Sequence, residues 1–175
     1  MAYNYDDIID HLIDIRLGEN PHTMNYERNC YNHIAAVITI SKKTQLNILS
    51  VGINHYNNYH KKIPSIHAEA SALKKLPVNM NKHYKLADVF VIRTSLNRKL
   101  GNSKPCIKCL DNMYNFALKK KGYKINNVYY STTDGTIEKK KLTTLIFEEE
   151  FHVSRYYKKT NFKHPWMCSE CDKRS

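Results

Sequence analysis

Five short runs of β-branched and aromatic residues, interleaved with helical patterns, constrain this chain more than any other feature. Ala35–Ile40 and Leu46–Ile53 flank a polar turn, Ser41–Gln45, which predicts an antiparallel hairpin. Ala87–Thr94 reads as a buried third strand, Asn127–Ser131 as a fourth and Thr136–Leu142 as a fifth. Thr133-Asp134-Gly135 joins the last two, and strands joined by so tight a turn must be antiparallel. A first helix begins at Asp6 or Asp7, repeats Ile8, Ile9, Leu12, Ile13 and Ile15 at helical spacing, and ends at Gly18. A second runs from an N-cap at Ser65 to Pro77, a third from Pro105 to Gly122, and a last spans Thr144–Tyr157. The order α-β-β-α-β-α-β-β-α predicts an α/β fold, a three-layer α/β/α sandwich around a mixed five-stranded sheet. One domain, residues 1–157, is expected, with a polar tail at 158–175.

Composition narrows the class. With 42% hydrophobic residues the chain can bury a core, which excludes global disorder. Its five cysteines form two C-x-x-C pairs and a single, a spacing that points to metal ligation in a reducing compartment rather than a disulfide scaffold. The start lacks a secretory pattern, and the longest apolar run, around Ile34–Ile40, is too short to span a bilayer. A soluble, cytoplasmic protein without membrane contact is the expectation. The net charge of +12 suits contact with nucleic acid. It has an equally good mundane source, because Lys, Asn, Ile and Tyr, all with A+T-rich codons, dominate the composition. Lys119–Lys121 and Lys139–Lys141 read as solvated faces.

Two motifs carry chemistry: His67-Ala68-Glu69 and Pro105-Cys106-Ile107-Lys108-Cys109, each at a predicted helix start. H-x-E is expected by chance roughly 0.4 times in this composition and P-C-x-x-C roughly 0.004 times, so the second carries the weight. Cys106 and Cys109, three apart on a helix, share one face, and a helix N-terminus favours the thiolate form that binds zinc. His67 can add a nitrogen ligand. Three protein ligands leave one tetrahedral position open, as in catalytic zinc sites, where bound water becomes acidic, with a pKa near roughly 7. Glu69, two residues past the ligand, is placed to hold and pass that water's proton.

His-Ala-Glu followed by Pro-Cys-x-x-Cys resembles the zinc-dependent cytidine/deoxycytidylate deaminase-like superfamily, and the similarity extends over roughly residues 30–145. The resemblance implies Zn2+ bound by His67, Cys106 and Cys109, with Glu69 as the catalytic proton shuttle. It implies hydrolytic attack at C4 of a cytosine ring, with Glu69 protonating N3 and then the departing amine, to give uracil and ammonia. It also implies substrate contacts from Asn54, at the end of Val51-Gly52-Ile53-Asn54, from the backbone N–H of Ala68, and from Ser103 beside the P-C motif. Two departures stand out: thirty-five residues separate Glu69 from Pro105, and a polar excursion, Ser95–Lys104, precedes the motif.

The loop Asn54–Lys62 interleaves aromatics with cations, so Tyr56 and Tyr59 are candidates for base stacking, or belong to an ordinary solvated loop. His164, Cys168 and Cys171 form H-x3-C-x2-C in the tail, a candidate second metal site, with Cys30 or His33 as companions. The expected function is a zinc-dependent deaminase of a cytidine-type nucleoside or nucleotide, because the direct hairpin between the last two strands resembles the free-nucleoside branch. The basic charge and the aromatic-basic loop support an alternative, a deaminase of single-stranded RNA or DNA. A third reading is a catalytically inactive, zinc-bound nucleic-acid-binding module. Relatives commonly form dimers or tetramers, which implies a homo-oligomer here.

Overall fold

The computed structural model describes residues 5–18, 32–40, 46–56, 65–95, 97–148 and 152–153. In chain order the elements are α1 (Tyr5–Gly18), β1 (Asn32–Ile40), β2 (Leu46–Ile53), β3 (His55–Tyr56), β4 (Ser65–Ile66), α2 (Ala68–Lys75), β5 (Lys85–Thr94), β6 (Leu100–Gly101), α3 (Ile107–Asp111), α4 (Ala117–Lys121), β7 (Tyr123–Ser131), β8 (Ile137–Lys141) and α5 (Leu142–Ile146). A π-helical turn, Asn112–Phe116, links α3 to α4.

Strand order in the main sheet is β2-β1-β5-β7-β8, with β5 and β7 parallel and the other neighbours on that path antiparallel. The mixed five-stranded sheet is therefore present. The excursion after β5 adds a sixth, two-residue strand: β6 folds back onto the end of β5, with Arg93 opposite Gly101 and Thr94 opposite Leu100.

Alternation along the strands builds the three layers. Ala35, Val37, Val89 and Val91 point to one face, where they pack with Leu73 and Leu76 of the α2 region, Ile107, Leu110, Met113 and Ala117 of the α3–α4 rod, and Leu142, Leu145 and Ile146 of α5. Ile34, Ala36, Ile38, Phe90 and Ile92 point to the other face and pack against Ile8, Leu12 and Ile13 of α1. On that face the rings of Phe90 and Tyr129 stack with centroids 5.3 Å apart.

Several boundaries differ from the sequence expectation, each for a tertiary reason. Ser65 is not a helix cap: Ser65–Ile66 pairs with His55–Tyr56, and His67, with ψ 151, caps α2 instead. The third helix likewise begins later than Pro105, at Ile107, with Cys106 extended at ψ 160. It ends at Gly122 as expected, in the left-handed conformation (φ 75) that glycine adopts without strain. The fourth strand begins at Tyr123 rather than Asn127. A bulge opposite Ala87–Val89 shifts its register, and Asn127 donates both its backbone N–H and its side-chain amide to Asp88. That shift puts Ile125 and Val128 on the same face and breaks the alternation that a sequence reading follows. Among the described residues α5 spans Leu142–Ile146, and Phe147, Glu148, His152 and Val153 are not helical, so the helix expected at Thr144–Tyr157 is interrupted, the rest of that span lying outside the described residues. Among the described residues no helix is long and apolar enough to cross a membrane.

Helix α2 lies on β2 with almost no separation at Gly52. A Cβ there would fall 2.1 Å from the backbone nitrogen of Ala72 and 2.3 Å from the carbonyl oxygen of Ala68. Ser50 Oγ donates to the Ala72 carbonyl at 2.9 Å, fastening the same contact. Because backbone cannot yield as a flexible side chain can, Gly52→Ala must push α2 off the sheet. Its expected effect is a loss of about 3 kcal/mol in stability, read from the urea midpoint against the wild type.

Candidate active site

The site lies at the end of the sheet where β1 starts and β2, β5 and β7 finish. The two extended caps bring it together. His67 and Cys106 each stand immediately before a helix, and neither side chain makes a capping hydrogen bond, so both are available to each other. His67 Nδ1 lies 3.5 Å from Cys106 Sγ and 3.3 Å from Cys109 Sγ. The three ligand atoms lie within 4.8 Å of one another, and among the described residues this is the His/Cys/Asp/Glu group that can hold a metal. Two soft sulfurs and an imidazole nitrogen suit zinc, and three ligands leave a coordination position for a further group.

The Cys106 thiol is pushed down to about 4, first by a hydrogen bond from the Cys109 thiol and then by His67. Cys109 moves the other way, well above its usual value, because it donates to Cys106 and is buried near Glu69. His67 rises to about 9 through its bond to Cys106, with the charge of Glu69 adding to it. Burial raises the Glu69 carboxyl above its ordinary range; the residue is 4% exposed, in the first turn of α2.

The other candidates fall in different places. Asn54 accepts the His33 N–H on its Oδ1 at 2.8 Å and donates its own N–H to the His33 carbonyl at 3.2 Å. Its side chain is therefore held by β1. Ala68 is fully buried, and its carbonyl faces the Gly52 contact. Its amide and those of Glu69 and Ala70 precede the first bond of α2, from Ser71 N–H to the His67 carbonyl. Ser103 is buried and acts as a joint: its hydroxyl donates to the Val91 carbonyl at 2.8 Å and accepts the Ser131 N–H at 2.8 Å. Tyr56 lies in β3 opposite Ser65. Tyr59, Cys30, His164, Cys168 and Cys171 lie outside the described residues.

Sequence reasoning passed over Ser131 and Arg93. Ser131 Oγ donates to the Gly101 carbonyl at 2.6 Å and accepts the Arg93 N–H at 3.1 Å, so it ties three strands at the site. Nothing local distinguishes it from any strand-end serine. His33, opposite Arg93 on adjacent strands, is lowered to about 4, first by burial and then by the charges of Arg93, His67 and His152. By contrast, Lys85, Lys121 and Lys124 lie at the opposite end of the sheet, beside Gly122 and the start of β7. The run Lys119–Lys121 sits in the last turn of α4, where cations complement the helix dipole.

Two expectations follow. Zinc binding near pH 7.5 requires both sulfurs as thiolates and a neutral His67 imidazole, so it displaces protons from the group. About two protons should be released, measurable by calorimetry in buffers of different ionisation enthalpy. Separately, His33 is neutral in the fold but takes a proton in the unfolded chain below about 6.5, so acid favours unfolding. His33 should contribute up to about 3 kcal/mol of lost stability as pH falls from about 6.5 to 4, and denaturant titrations of His33→Gln should show the pH slope reduced by about that amount.

No curated protein matches this chain closely enough to count as a relative. The cytidine and deoxycytidylate deaminase zinc-binding region matches residues 21–124, more than half of the chain, and the match takes in His67, Glu69, Cys106 and Cys109. By that match, and by the metal-competent group it encloses, the chain belongs to the cytidine and deoxycytidylate deaminase zinc-binding family.

Proposed function

We propose that this protein is a zinc-dependent hydrolytic deaminase that converts a cytosine base to uracil and ammonia, acting on a nucleoside or nucleotide. The observation that carries this reading is Glu69: a carboxyl buried in the same helical turn as His67, beside the two cysteines. His67, Cys106 and Cys109 would hold the zinc, which supplies a Lewis acid and an acidified water. A buried carboxyl whose affinity for protons is raised can carry one at neutral pH, which a surface glutamate cannot. Glu69 would take the water's proton, deliver it to N3 of the ring, and pass a second to the departing amine. The Ala68 amide, which precedes the first helical bond of α2, offers a donor for a ring carbonyl. The Asn54–His33 pair would meet the sugar.

Two features favour a small substrate over a polynucleotide. β7 runs into β8 through a tight turn, Thr132 N–H to Thr136 carbonyl at 2.9 Å, with no intervening helix. Lys85, Lys119–Lys121 and Lys124 lie away from the site end, whereas Arg93, Lys104 and Lys108 lie near it, with Lys104 paired to Glu148 and Lys108 to Asp111.

The test is ammonia release from cytidine, deoxycytidine, their monophosphates and single-stranded oligonucleotides by the zinc-loaded full chain. Turnover of a mononucleoside or mononucleotide is expected, with Glu69→Ala reducing it about a thousandfold while zinc content stays unchanged. Turnover of oligonucleotides alone would replace the small-substrate reading, and zinc uptake with no turnover would leave a binding module.

A further inference from the structure

The turn that presents Cys106, residues 103–107, is held from three sides. Ser103 locks its start to β5 and β7 through the Val91 carbonyl and the Ser131 backbone. The next residue, Lys104, places its Nζ 2.6 Å from Glu148 Oε2. The other carboxylate oxygen of Glu148 receives Lys140 Nζ at 2.7 Å, which fastens the bridge to the edge strand β8. Beyond Cys106, the Ile107 N–H opens the first turn of α3 and donates to the His152 carbonyl at 2.9 Å. That carbonyl satisfies an orphan helix-start donor that a side chain at the cap position commonly helps to satisfy. Cys106 makes no capping bond, and its sulfur is turned to His67 and Cys109. Val153 packs against the same core cluster as Ile107 and Leu110.

We infer that Glu148 is a positioning residue for the metal group, and that the segment after α5 holds Cys106 in ligating geometry. The inference rests on the metal-binding reading of His67, Cys106 and Cys109, but not on deamination. Ser131, Lys140, Glu148 and His152 all lie beyond residue 124, so the family-matched stretch does not by itself supply the support for its own metal site. The Lys104–Glu148 pair is partly buried, with side chains 27% and 20% exposed, so it is less screened than a surface pair. Burial opposes ionisation of Glu148, yet the two ammonium groups outweigh it and hold the carboxyl below its usual value. Removing the carboxylate releases the turn and leaves Lys104 and Lys140 facing each other.

Zinc release from the full chain into a chromophoric chelator, together with the thiolate-to-metal and d–d absorption of the Co2+-loaded protein, reads this directly. Glu148→Ala should release zinc at least about tenfold faster and alter the cobalt spectrum, and Lys104→Met should do the same. Arg98→Ala is the control: it breaks a comparable bridge to Asp10 and Asp14 on the α1 face, both at 3.2 Å. It should leave release and spectrum at wild-type values. Unchanged release in Glu148→Ala or in Lys104→Met, or equal acceleration in Arg98→Ala, overturns the inference. A wild-type chain that takes up no zinc overturns the metal reading with it, whereas zinc uptake without deamination overturns only the proposed activity.

Discussion

The meeting of two cysteines and a histidine at two helix starts is the constraint on which this molecule is organised. In a low-dielectric interior a lone sulfur anion is costly, so it must be surrounded by donors or by a metal. Cys106 obtains them from Cys109, one helical turn along its own segment, and from His67, on a different helix start. The arrangement works because both His67 and Cys106 have extended backbones just before their helices, which leaves their side chains outside the capping role. Had either helix begun where its proline suggested, at residue 65 or 105, these side chains would sit inside a first turn rather than at its mouth.

Holding two helix starts side by side demands a sheet of fixed geometry beneath them. Gly52 lets α2 settle onto β2 at backbone contact, and the small residues Ala35, Ala68 and Ala72 continue that close packing. The parallel β5–β7 pair places the α3–α4 rod on the same face. The bulge at Asp88–Asn127 keeps Tyr123, Ile125, Val128 and Tyr130 all facing that rod despite the extra residue. At the site end the strands are tied by side chains rather than by ladder bonds alone: Ser131 joins β5, β6 and β7, and Asn54 joins β2 to β1. The opposite end carries much of the described lysine, and edge-strand lysines such as Lys139 and Lys141 also discourage pairing with another sheet.

Much of this was legible in the chain itself. Element order, the two hairpins, the mixed sheet and the His67-x-Glu69 and Cys106-x-x-Cys109 motifs depend on local spacing, and local spacing is what periodicity and turn chemistry encode. Boundaries failed where a long-range contact overrode local preference. Ser65 looks like a cap until His55–Tyr56 pairs with it, and Tyr123–Asn126 looks like a polar connection until the bulge is known. The last helix was overextended because its apolar residues serve packing, as Val153 does, without continuing the helix.

The sequence by itself determined which residues can bind a metal and move a proton, because ligand chemistry resides in residue type and spacing. Only the tertiary structure decided that His67, Cys106 and Cys109 meet within ligating distance, since that depends on how separate helix starts are packed. It alone decided that Ser103 is a joint between strands, that Asn54 is held by His33, and that Glu148 and the His152 carbonyl brace the Cys106 turn. Those roles belong to atoms brought together across tens of residues, and no local pattern records such a meeting.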